Sequence, residues 1–239
     1  MRLAITACLA ASWLSACGEP PADAVAAPAS APALAPESRP EQPASKPAVV
    51  AFRGRSGELV NPDDTTMVLL YFDLAELPAP IDQYLEDDMR VRMARPADKP
   101  AQREVVRKEL EAGLEGVHGV GAIRLSMHAN LSEYDSAYGE FTVRALAPSS
   151  VVEFKALGQK VRLKFGNARN AQVWRVAAEQ AQGVRDRIGF SGDVSLDALL
   201  AIRDVHAAPE SGTIMVNVIE YELRENRGGT LLGRVQPAP

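Results

Sequence analysis

Cysteine is nearly missing from this chain. Two occur in 239 residues, Cys8 and Cys17, and none follows them. The stretch from residue 49 onward therefore forms no disulfide and must be stable on its core alone. The same absence excludes a thiol enzyme, a thiol redox protein and a cysteine-ligated zinc centre there. Other signatures of chemistry are also missing. The only histidines are His118, His128 and His206. No two have the spacing that puts a pair of ligands on one helix face, and there is no His-Glu-x-x-His. No Gly-x-Ser-x-Gly elbow occurs, nor a Ser-x-x-Lys with its supporting motifs. The Gly-x-x-x-x-Gly-Lys phosphate loop and the acid pattern of a helix–loop–helix calcium site are absent too. Beyond residue 48 there are 23 basic and 27 acidic side chains, so no basic excess points to nucleic acid. No catalytic residue, metal ligand or cofactor is assigned, and no internal repeat or second long apolar segment is seen.

What is present begins at the N-terminus. Arg2 gives a positive start, Leu3 to Leu14 is mostly apolar, and Ser15-Ala16 supplies small residues before Cys17. The apolar stretch is shorter than the roughly 20 residues of a spanning helix. Leu14-Ser15-Ala16-Cys17 resembles the lipobox of bacterial lipoproteins. The resemblance implies that residues 1–16 are a signal peptide and that Cys17 is lipidated and becomes the mature N-terminus. It implies a membrane anchor through the lipid on Cys17, firm because two or more acyl chains hold stably where one is marginal. Gly18 stands where an Asp would favour inner-membrane retention. By that resemblance the expected place is the outer membrane, facing the periplasm.

Residues 19–48 hold 8 Pro and 10 Ala, with one Leu, one Val and no aromatic. Such a segment cannot bury enough apolar surface to offset chain entropy. In extended polyproline form, at about 3.1 Å per residue, it would reach roughly 90 Å. Residues 17–48 are accordingly read as a lipidated cysteine followed by a disordered tether, and 49–239 as a single domain.

Within that domain Asn61-Pro62-Asp63-Asp64 reads as a helix start: a cap residue, Pro at the first position and acids in the first turn. Met67, Leu70, Tyr71 and Leu74 follow on one helix face, and Pro78 and Pro80 end it. A second helix is expected from Ile81 to Met93, with Ile81, Tyr84, Leu85 and Met89 inward. Pro96 and Pro100 mark a loop, and a third helix covers Gln102 to Leu114, stopped by Gly116. The period then changes. Ile123, Leu125, Met127, Ala129 and Leu131 alternate with polar residues as a half-buried strand. Tyr134-Asp135-Ser136 turns the chain and Phe141-Thr142-Val143 returns it. Val151, Val152 and Phe154 suggest a strand, as do Val161, Leu163 and Phe165. A helix is expected over Val176 to Ile188, capped by Gly189. Residues 194–206 fit either a capped helix or an alternating strand, and the strand is preferred because Ile214, Val216, Val218 and Tyr221 continue an extended run. Asn226-Arg227-Gly228-Gly229 is a hairpin turn. The fold class is α+β, a helical N-terminal part packed on a mostly antiparallel β-sheet.

Tyr71-Phe72-Asp73-Leu74, Glu133-Tyr134-Asp135 with Gly139-Glu140-Phe141, and Phe165-Gly166-Asn167 are similar to motifs of an uncharacterised bacterial family, domain of unknown function 4852. That likeness implies an α+β envelope domain and carries no catalytic residue with it.

Few side chains stand out for function. His118, in Gly116-Val117-His118-Gly119-Val120-Gly121, reads as an exposed loop residue between helix and sheet, and His128 as a residue on the polar face of its strand. Glu86-Asp87-Asp88 reads as a solvated helix face, since successive helical residues point apart. Lys160, Arg162 and Lys164 stand in a row, about 7 Å apart along one strand face. Lys155, Arg169 and Arg175 are expected nearby. The row is the candidate site for an anionic lipid or glycan, weighed against an ordinary charged face paired with neighbouring acids. The expected function is a non-catalytic binding or structural module of the cell envelope, with an envelope protein or anionic glycan as partner. The alternatives are an envelope hydrolase without a recognisable motif and a carrier of an apolar ligand.

Overall fold

The computed structural model describes residues 52–208 and 211–238. The expected signal peptide, Cys17 and the tether lie outside the described residues. Strand β1 (Gly57–Val60) comes first, then helices α1 (Asp64–Leu74), α2 (Ile81–Asp87), α3 (Met89–Met93) and α4 (Lys99–Val117). Strands β2 (Val120–Asn130), β3 (Glu140–Thr142), β4 (Val151–Ala156) and β5 (Gln159–Phe165) follow. After the short α5 (Ala168–Ala171) come β6 (Val173–Arg175), α6 (Ala178–Ile188), β7 (Asp193–His206), β8 (Ser211–Glu225) and β9 (Leu231–Val235).

Helix α1 starts two positions later than its proline suggests. Asp63 is the cap and its carboxylate accepts the Thr66 N–H at 2.7 Å. Asn61, at φ 46°, instead bonds across to β2: its Oδ1 accepts the Ser126 N–H at 2.7 Å. The helix is not one-faced. Met67 through Phe72 and Leu74 are all buried, because α4 covers one side while β4 and β5 lie against the other. A helix clad on both sides reads as apolar all round.

The expected second helix is two. Asp88 leaves helical geometry at ψ 128° and its carboxylate caps α3 through the Arg90 N–H at 2.7 Å. The break turns Met89 outward, where it is exposed. Helix α4 is longer than expected at both ends. Pro100 sits in its first turn, where a missing N–H costs nothing, and Gly116 lies inside it.

The main sheet has seven strands in the order β1-β2-β7-β8-β5-β4, with β9 also on β8. Residues 194–206 are strand, as preferred. Val194, Leu196, Ala198, Leu200 and Ile202 are fully buried. The pairs β2–β7, β7–β8, β4–β5 and β8–β9 are antiparallel, while β1–β2 and β5–β8 are parallel. In β8 the buried alternation Ile214, Val216, Val218 resumes at Tyr221. The register shift beside Leu199/Leu200 falls there, so Ile219 is the extra residue of a bulge. The returning run Phe141-Thr142-Val143 does not rejoin β2 as a hairpin. Strand β3 pairs with β6 in a separate two-stranded sheet, and the run meets the chain after β2 through the isolated Leu131–Val143 and Asp135–Glu140 bridges. One connected core joins α1, α2, α4 and α6 to one face of the main sheet. Within it the Tyr84 and Tyr221 hydroxyls have no partner among the described residues, and burial pushes the Tyr84 phenol up to about 12.

Candidate functional site

A groove of about 860 Å³ lies where the end of α1 meets the end of α4. Its centre is Asp73, a lone acid in the otherwise apolar Met67–Leu74 run. One carboxylate oxygen takes Arg55 Nη1, and Arg55 Nη2 donates to the Asp73 carbonyl oxygen at 3.2 Å. The other oxygen lies 3.1 Å from His118 Nδ1. Arg55 and Asp73 are mostly covered (14% and 16% exposed), whereas the His118 side chain is 71% exposed.

Local backbone chemistry explains how these three meet. His118 ends α4 in extended geometry, with its N–H on the Glu115 carbonyl at 3.1 Å. Gly119, at φ 76°, then takes the left-handed turn into β2. Gly121 lies against the segment carrying Arg55, and a Cβ there would run into the Arg55 carbonyl. The glycines around His118 thus serve a helix exit and a close backbone approach rather than a flexible loop. Phe72, Leu77, Pro78, Ala79 and Leu114 give the groove apolar walls. Glu76, Glu111 and Glu115 add carboxylates, of which Glu76 pairs with Arg53 at 2.9 Å. Among the described residues no serine, threonine, tyrosine or cysteine lines the groove.

His128 occupies a second cluster. Its Nε2 is 3.1 Å from Asp193 Oδ1, the oxygen that Asn130 Nδ2 also reaches. Asn226 Nδ2 stands 3.5 Å from His128 Nδ1. The Ser191 hydroxyl, with His128 and Asn130, holds the Asp193 carboxyl below the usual range. The two histidines therefore each gain a carboxylate, at separate places. His128 is on the polar face of its strand, as expected.

The basic row exists: Lys160, Arg162 and Lys164 alternate with buried Val161, Leu163 and Phe165. It is not isolated. On β4, Lys155 faces Lys160, Glu153 faces Arg162 and Val151 faces Lys164. Glu153 lies 3.3 Å from Lys155, 3.5 Å from Arg162 and 3.9 Å from Lys160. Lys155, first among these cations, holds its carboxyl low. Lys164 alone of the row has no acid paired with it among the described residues. Arg169 and Arg175 line a cleft that none of the row residues lines.

The acidic run on α2 disperses as its helical positions require. Glu86 pairs with Arg103 at 2.8 Å, and Asp88 caps α3 and binds Arg90. Among the described residues no group of three or more His, Cys, Asp or Glu side chains is arranged to hold a metal ion.

Sequence reasoning found His118 but not its partners. Arg55 precedes every predicted element, and Asp73 belonged to a motif without a role. The available signal was the isolation of Asp73 among buried apolar residues, since such an acid needs a cation or donors. No family model, curated protein or solved structure matches this chain.

Proposed function

We propose that the chain is a bacterial lipoprotein held by lipid on Cys17 in the outer membrane, facing the periplasm. Its domain acts there as a non-catalytic binding or structural module of the envelope. The leader, the lipobox and the Pro/Ala-rich stretch support the anchor. The observation that carries the non-catalytic reading is the use of Asp73. Both of its oxygens are engaged, and with Arg55 and His118 it ties the chain before β1 and the end of α4 to α1. The described residues that line the groove around it offer no hydroxyl or thiol nucleophile. The direct test is fractionation of cells making the Cys17→Ser chain. The protein should move from the membrane pellet to the soluble fraction, and an unchanged membrane share would refute the anchor.

The hydrolase reading keeps one specific support. A histidine held by a carboxylate at the rim of a groove is the arrangement of a general base, and a water molecule can serve as nucleophile. His118→Ala separates the two readings by complementation of a strain lacking this protein. A module should still complement at equal abundance. Lost complementation, with abundance and thermal midpoint unchanged, would favour the enzyme.

A further inference from the structure

A cleft of about 480 Å³ runs between β6 and the chain that follows β9. Its floor is Trp174, which is buried and packed against two neighbours. Phe141 stacks on it at 5.4 Å, with planes 29° apart. Gly233 of β9 lies against it, where a Cβ would come within 2.6 Å of the ring. Three guanidinium groups border this floor: Arg169 from α5, Arg175 at the end of β6, and Arg234 from β9.

Their charges are not all spent. Glu222 holds Arg234 through two nitrogens and binds Arg224 as well. Glu140 reaches Arg175 only at 3.9 Å, and the Arg175 side chain is 83% exposed. Arg169 has neither an ion pair nor a side-chain hydrogen bond among the described residues. The row on β5 differs, because Glu153 sits among its cations.

We propose that this cleft is an anion site, taking a compact polar molecule that carries a phosphate or a carboxylate. Guanidinium forks match both groups, binding their paired oxygens. The volume lies in the range of small-molecule sites, about 300–1,000 Å³, and exceeds what the anionic group alone would fill. Val173, Val235 and Pro237 alternate with the arginines and Gln236 along the walls. That mixture suits an anionic sugar better than an acyl chain. The site stands whether or not Cys17 anchors the chain.

The test is calorimetric titration of the full chain in detergent micelles with three probes: glucosamine 6-phosphate, N-acetylmuramic acid and neutral N-acetylglucosamine. At least one anionic sugar should bind at least tenfold more tightly than the neutral one, and which one does so distinguishes phosphate from carboxylate. The double variant Arg169→Gln/Arg175→Gln changes side chains outside the core, and a wild-type melting curve checks its fold. It should weaken binding at least tenfold, while Arg162→Gln leaves it unchanged. The proposal is overturned if neither anionic sugar binds or if the neutral sugar binds equally well. It is also overturned if the double variant binds like wild type, or if Arg162→Gln loses as much.

Discussion

Asn167 is the one buried polar residue among the described ones that acts as a piece of backbone. Its amide donates to the Val218 carbonyl at 2.9 Å and accepts the Val218 N–H at 2.9 Å. Strand β5 leaves β8 at Phe165–Val216 and β9 joins at Tyr221, so Val218 would otherwise have no neighbour on that edge. Gly166 allows this, because a Cβ there would lie 2.6 Å from Asn217 Oδ1. Asn167→Ala leaves two buried backbone groups unpaired and should cost about 2–3 kcal/mol in urea unfolding. A loss below about 1 kcal/mol would mean that water or a shifted β9 satisfies Val218. The sequence showed Phe165-Gly166-Asn167 as a motif and nothing of its work, because the bonded partner is 51 residues away. Asp73 was obscure for the same reason: a helix pattern displays a lone acid but not the arginine that neutralises it.

Elements were more legible than residues, with errors of a consistent kind. Each long helix and every strand of the main sheet except β1 and β9 announced itself by period, and β9 was signalled only by the turn at Asn226–Gly229. Helix ends were misplaced where two cap residues compete, as Asn61 and Asp63 do. At α1 the Thr66 N–H holds the Asp63 carboxyl below its usual range. A carboxyl lowered by folding contributes stability above the ordinary aspartate range and loses it as pH falls through the lowered value. Asp63→Ala should therefore cost about 1 kcal/mol near neutrality. Thermal midpoints across pH should show the gap from wild type narrowing under acid, and a gap constant down to strongly acidic pH would rule out the capping account. The short pieces α5, β1 and β6 escaped notice because three or four residues carry no period. The β8 bulge was visible in principle, as the step from Val218 to Tyr221.

At the scale of the molecule, the α+β class and the helical N-terminal part on a mostly antiparallel sheet were readable from the change of period near residue 120. The strand order was not. Pairing β1 beside β2 and β5 beside β8, both parallel, requires long connections that no local pattern records. The basic row shows a similar limit: alternation placed three cations on one face, and only the register put Glu153 among them. The outermost strands of the sheet are short, with four residues in β1, six in β4 and five in β9. The outward Lys155 N–H of β4 is already taken by Asp64 at 3.1 Å. Among the described residues, two copies of this domain meeting edge to edge thus have little free backbone with which to extend the sheet from one molecule to the next.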